Sequence, residues 1–170
     1  MRTLVLGLGT ALALAAAGAP AMAEEMTAQA LSDRAQIEDI LTRYYISFGN
    51  NAAEHVGQYY AEDGEMVLGT TSYKGIAAIK GMYQSVPADA PQRKSFALNI
   101  LIGNPLVVVK GDTATARLVF TEYVVDKQGD APRILTMGRE FDWFVKQNGK
   151  WLIKKRQIMG ANDVPEGWQD

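Results

Sequence analysis

The chain has 170 residues, with 17 lysines and arginines against 19 aspartates and glutamates, one histidine and no cysteine. A slightly acidic balance with no basic stripe argues against a nucleic-acid partner. The lack of cysteine rules out disulfides and, with a single histidine, the usual zinc-ligand spacings, so stability must come from one packed core.

In chain order, residues 1–23 read as a secretory leader. Arg2 supplies the positive start, Leu4 to Ala17 form an uncharged apolar stretch, and Ala21-Met22-Ala23 is a small-x-small cleavage site. The apolar stretch is short for roughly 30 Å of hydrocarbon and ends at Pro20. The mature chain is expected to start at Glu24 and to be periplasmic or secreted. With no twin arginine and no cysteine to carry a lipid, no membrane partner is expected after cleavage. Residues 24–31 form a polar lead-in, 32–160 the folded domain and 161–170 a C-terminal tail.

Asp33 precedes Gln36 by three, a capping-box pattern. Ile37, Ile40, Leu41, Tyr44, Tyr45 and Phe48 then form one apolar stripe at helical spacing, stopped by Gly49-Asn50-Asn51. A second helix is expected from Ala52 to Tyr60, a turn over 61–64, a short strand from Glu65 to Leu68 and a third helix from Gly75 to Gln84. Residues 86–94 read as a loop. Four long strands follow: Phe96 to Val109, bent near Gly103-Asn104-Pro105, then Thr113 to Val125, Ile134 to Lys146 and Trp151 to Met159. Lys110-Gly111-Asp112 and Gln147-Asn148-Gly149 supply hairpin turns. Helices segregated from a strand meander indicate α+β, with helices on one face of a curved antiparallel sheet.

Four segments resemble the SnoaL-like branch of the nuclear-transport-factor-two-like superfamily. They are Ser32 to Leu41, similar to the opening helix; Tyr60-Ala61-Glu62-Asp63; Tyr73-Lys74-Gly75-Ile76-Ala77-Ala78-Ile79; and the final hairpin, Gly138-Arg139 through Asn148-Gly149-Lys150-Trp151. The resemblance implies a cone-shaped half-barrel: four antiparallel strands and one short strand wrapped around three N-terminal helices, with a central cavity. Members include dehydratases, dehydrochlorinases, ketosteroid isomerases, polyketide cyclases, epoxide hydrolases and non-catalytic binding or assembly modules, so activity must be argued from side chains.

Side chains narrow the choice. The resemblance places the dehydratase Asp–His dyad at Gly49 and Ser95, so both halves are missing. The only histidine, His55, reads as a surface helix residue. Tyr44 matches the oxyanion-stabilising tyrosine of the ketosteroid isomerases, but their base position falls on Leu68. The Arg-x-Asp of the epoxide hydrolases falls near Tyr123-Val124-Val125. Glu140 and Asp142, two apart on one strand face, remain as a substitute base, with Tyr44 as the electrophile, if that face lines the cavity. The alternative is that they face solvent or pair with Arg139, Lys155 or Arg156; a one-residue slip would exchange the faces. Tyr60, Leu68, Tyr83, Ser95 and Asn99 are the candidate ligand contacts. Three functions follow: a module holding a small, mostly apolar molecule, a cofactor-independent lyase, isomerase or cyclase, and an assembly module. No cofactor or metal is implied, and the outer sheet face, with Trp143 or Val119, is expected to pair two copies as a homodimer.

Overall fold

A computed structural model describes residues 26–46, 48 and 52–168. The leader, its cleavage site and Gly49 lie outside the described residues. The elements are α1 (Ala28–Ile46), α2 (Ala52–His55) followed by a 3-10 turn (Val56–Gln58), β1 (Tyr60–Leu68), β2 (Thr71–Lys74), α3 (Ile76–Gln84), α4 (Pro91–Lys94), β3 (Ala97–Lys110), β4 (Thr113–Val125), β5 (Arg133–Gln147) and β6 (Lys150–Met159).

Six strands form one sheet in the order β2-β1-β6-β5-β4-β3. The β3-β4-β5-β6 meander is antiparallel throughout, whereas β1 joins β6 in parallel and β2 in antiparallel pairing. Helix α1 lies on the inner face, chiefly against β3, and α3 packs on β1. Ile37, Leu41 and Tyr44 of α1 meet Ile79 and Met82 of α3 and the inward Val107, Ala114, Ala116, Leu118, Phe144, Trp151 and Ile153 in one core. The fold is thus the expected α+β cone, with six strands where four long and one short were expected: β2 is the addition, and β1 is longer than the short strand foreseen.

The local differences have identifiable causes. Helix α1 starts at Ala28 because Thr27 caps it: its Oγ1 accepts from the Ala30 N–H at 3.1 Å. Asp33 therefore sits inside the helix, buried, not at its cap. The second helix stops at His55, and Tyr60 begins β1 instead of ending a helix. The turn expected at 61–64 is a bulge within β1, where its register on β6 shifts between Tyr60 and Glu65. Gly64 permits the bulge, since a Cβ there would lie 2.9 Å from the Ala61 carbonyl oxygen. The loop over 86–94 contains α4, with Pro91 at its start. The β5–β6 turn is as expected, with Asn148 and Gly149 both at positive φ.

Candidate functional site

Strand pleating assigns the inward residues. On the inner face, Leu98, Ile100 and Ile102 of β3 stand opposite Val124, Glu122 and Phe120 of β4. Next on β5 come Gly138 opposite Phe120, Glu140 opposite Leu118 and Asp142 opposite Ala116. Gly138 is needed there, because a Cβ would lie 2.9 Å from the Phe120 ring. Arg156 of β6 pairs with Asp142. Glu140 and Asp142 thus face inward, and of their three possible partners the structure selects Arg156.

All three are fully buried. Arg156 Nε donates to Asp142 Oδ1 at 2.8 Å, and its Nη2 lies 3.0 Å from Glu140 Oε1. The second contact has ion-pair distance but is misaligned for a hydrogen bond. Glu140 Oε1, Asp142 Oδ2 and both terminal nitrogens of Arg156 are left without a hydrogen-bond partner, as is the Tyr60 hydroxyl. The guanidinium lies over the Tyr44 ring at 4.0 Å, with the Tyr45 and Tyr60 rings at 5.5 and 6.0 Å. The Tyr45 hydroxyl donates to Glu140 Oε2, and the Tyr44 and Tyr83 hydroxyls share a hydrogen bond.

The electrostatics follow from burial. Loss of water drives the Glu140 carboxyl well above its ordinary range; Arg156 opposes this and Asp142 adds to it. Burial also pulls Arg156 down, but Asp142 and Glu140 outweigh it and hold the guanidinium well above its ordinary value. Burial raises the Tyr44, Tyr45, Tyr60 and Tyr83 hydroxyls as well. At this depth the interior keeps one cation and resists holding two anions.

Toward the mouth, a cleft of about 400 Å³ opens between α1 and β3, bounded by Thr42, Tyr45, Phe48, Leu98, Ile100 and Ile102. Tyr45 links the two regions, with its side chain at the cleft and its hydroxyl on Glu140. Of the candidate residues, Tyr44, Tyr60, Glu140 and Asp142 surround Arg156 and Tyr83 joins them through the Tyr44 hydroxyl, and none of them borders the cleft. Asn99 borders the cleft along the strand edge, but it alternates with Leu98 and Ile100, and its exposed side chain belongs to the outer face with Tyr123. Leu68 packs against the core at the end of β1, and Ser95 caps α4, its hydroxyl 3.3 Å from the Gln92 carbonyl. His55 is exposed. Among the described residues no three metal-ligating side chains converge.

Sequence reasoning left Tyr45 and Glu122 out of the candidates and named Arg156 only as one of three possible partners of the two acids. Tyr45 was visible only as part of the α1 stripe. Arg156 is turned inward by a bulge: β5 pairs Trp143 with Lys155 but Phe144 with Ile153, so Lys154 is an extra residue. Glu122 is the one charge among the inward positions of β4, a breach of alternation that the sequence does display.

A curved sheet around a leading helix, with polar groups deep inside and a cleft at its mouth, defines an NTF2-like cone domain. The SnoaL-like domain family matches residues 29–157, and the chain belongs to that family. An NTF2-like protein with a cystatin-like fold from Novosphingobium aromaticivorans is 24% identical, with a TM-score of 0.69 over 81% of this chain and 87% of that one. ActVI-ORFA from Streptomyces coelicolor is 15% identical, with a TM-score of 0.66 over 75% and 96%. An NTF2-like superfamily protein from Salmonella enterica serovar Typhimurium is 18% identical, with a TM-score of 0.63 over 82% and 99%. No curated protein matches the chain. At these identities the structural likeness concerns the fold.

Proposed function

We propose that this chain is exported through its leader and holds a small, mostly apolar molecule in the cleft between α1 and β3. The observation that carries the reading is the cleft itself, about 400 Å³ and walled by Phe48, Leu98, Ile100 and Ile102 with polar points at Thr42 and Tyr45. That volume lies within the range of roughly 300–1,000 Å³ typical of small-molecule sites. Gly49 and Ser95 at the dyad positions, and an exposed His55, favour holding over proton transfer. A second copy is the partner proposed for the outer sheet face, where Leu101, Val119, Ile134 and Met137 are exposed.

A second reading, proton transfer by a lyase, isomerase or cyclase, is favoured by Tyr45. Its hydroxyl joins the cleft to Glu140, a carboxyl that burial raises well above its ordinary range, as suits a group that exchanges a proton. In that reading Tyr45, not Tyr44, is the group that meets substrate.

One experiment separates these. Native mass spectrometry of the mature protein with a panel of small aromatic and terpenoid compounds should show an added ligand mass on a dimer, lost in Ile100→Arg. Conversion of the ligand, abolished in Glu140→Gln, would turn the result toward the enzyme. No added mass with any compound, or retention by Ile100→Arg, would overturn the cleft reading.

A further inference from the structure

Glu122 takes no part in either the Arg156 cluster or the reading above, yet its position is unusual. It is only 9% exposed, and its Oε1 is buried without any hydrogen-bond partner. It stands directly opposite Ile100, flanked diagonally by Leu98 and Ile102. All three of those β3 residues wall the cleft. Directly opposed side chains have Cβ atoms about 4.5–5.5 Å apart, so the carboxyl lies on the same sheet face immediately beside the Ile100 wall, one strand in from the residues that border the cleft. Burial raises its pKa, and a hydrogen bond from the Gln92 side chain of α4 to the carboxyl opposes the rise, so that Oε1 alone is left unmet.

A buried oxygen with no partner costs free energy, and a structural role would have supplied one. An apolar residue at 122 would satisfy the alternation of β4, in which Ala114, Ala116, Leu118 and Val124 are all buried. The exception therefore calls for a partner from outside the chain.

We propose that Glu122 is the polar anchor of the cleft: its Oε1 hydrogen bonds the hydroxyl or carbonyl group of a ligand whose apolar body lies between α1 and β3. This rests on the cleft reading and narrows it. The ligand class is a compact, largely apolar molecule with one oxygen function at the end that reaches β4. The opposite end lies toward Phe48 and the mouth.

The test uses a matched pair of probes, 2-naphthol and naphthalene, titrated into the mature protein and followed by naphthyl fluorescence. Wild type should bind 2-naphthol about tenfold more tightly, the equivalent of one well-made hydrogen bond. Glu122→Leu should erase that preference, so that 2-naphthol binds it no more tightly than naphthalene does, and Glu122→Gln should keep most of it. Without ligand, Glu122→Leu should raise Tm by about 2–4 °C, because an orphaned acceptor is removed. A preference that survives in Glu122→Leu, or a fall in its Tm, would overturn the anchor while leaving the cleft reading intact. Failure of both probes to bind wild type, or binding unaffected by Ile100→Arg, would bring down the cleft reading itself.

Discussion

Asp33 on α1 and Glu140 on β5 are both buried carboxyl groups beside a basic side chain, and their surroundings treat them in opposite ways. Asp33 receives Lys146 Nζ at 2.7 Å, the Trp151 indole N–H at 2.9 Å and the Gln29 amide at 3.1 Å. Those bonds, Lys146 first, lower its pKa to about 2. Glu140 shares one guanidinium with Asp142, leaves an oxygen unmatched, and has its pKa pushed up. One anchor is saturated with donors and ties α1 to the β5–β6 hairpin. The other cluster brings its donors to its carboxylates poorly: both terminal nitrogens of Arg156 and an oxygen each of Glu140 and Asp142 lack hydrogen-bond partners. A carboxylate held for structure is given donors; one left short of them is free to exchange a proton or a partner.

The largest effect expected from this contrast is at Arg156. Arg156→Met leaves two carboxyls buried against each other without their cation and removes the guanidinium from the Tyr44 ring. Loss of one partner of a buried pair costs about 3–5 kcal/mol, to be read as a lower urea midpoint. Combining it with Glu140→Leu and Asp142→Leu should recover most of that loss, since a matched apolar set is often as stable as a buried ion cluster. If the triple variant stays as unstable as the single one, the cluster is structural and the contrast with Asp33 fails.

A smaller loss is expected at the saturated site. Asp33→Asn keeps an acceptor for Trp151 but gives up the charge that holds Lys146, which is itself partly exposed and can turn to water. The sign follows from the lowered pKa. Stability supplied by the ionised Asp33 is present above its ordinary value of 3.8 and is lost as pH falls through about 2. Urea midpoints of wild type and Asp33→Asn should therefore differ at pH 7 and converge toward pH 2. A constant gap across that range would mean that packing, not charge, sets the role of Asp33.

The saturated anchor was half legible in the sequence and the open cluster less so. The Gly-x-Trp of the last hairpin and the acid at the start of the α1 stripe were both visible, but 118 positions separate Asp33 from Trp151, and local pattern offered helix capping instead. The two acids of β5 were legible as a pair on one face because pleating has a period of two, but which face they share was left open. Their cation was hidden by the bulge at Lys154, which shifts β6 by one and puts Arg156, not Lys155, inside. The start of β1 was lost for a related reason: its bulge at Gly64 breaks the alternation, and its parallel partner lies ninety or more positions away on β6. The cleft is a volume left between α1 and β3, a property that side-chain order along one strand does not contain.

The smallest expected effect, and the one most specific to the open cluster, is a change of slope. Because burial raises Glu140 above its ordinary value of 4.5, the folded state binds a proton that the unfolded chain has released. Wild-type stability should then fall as pH rises from about 4.5 toward the raised pKa, the reverse of the Asp33 behaviour. Glu140→Gln keeps an acceptor for the Tyr45 hydroxyl and has no proton to release, so its urea midpoint should decline less over that interval, by the share that Glu122 contributes. The two proteins should be nearly equal near pH 4.5, with the variant gaining as pH rises. A parallel decline in both would place the titration elsewhere and show that Arg156 keeps Glu140 ionised. The donor-poor cluster would then be as fixed in charge as the saturated one, and the proton-exchange reading of Tyr45 and Glu140 would lose its physical basis.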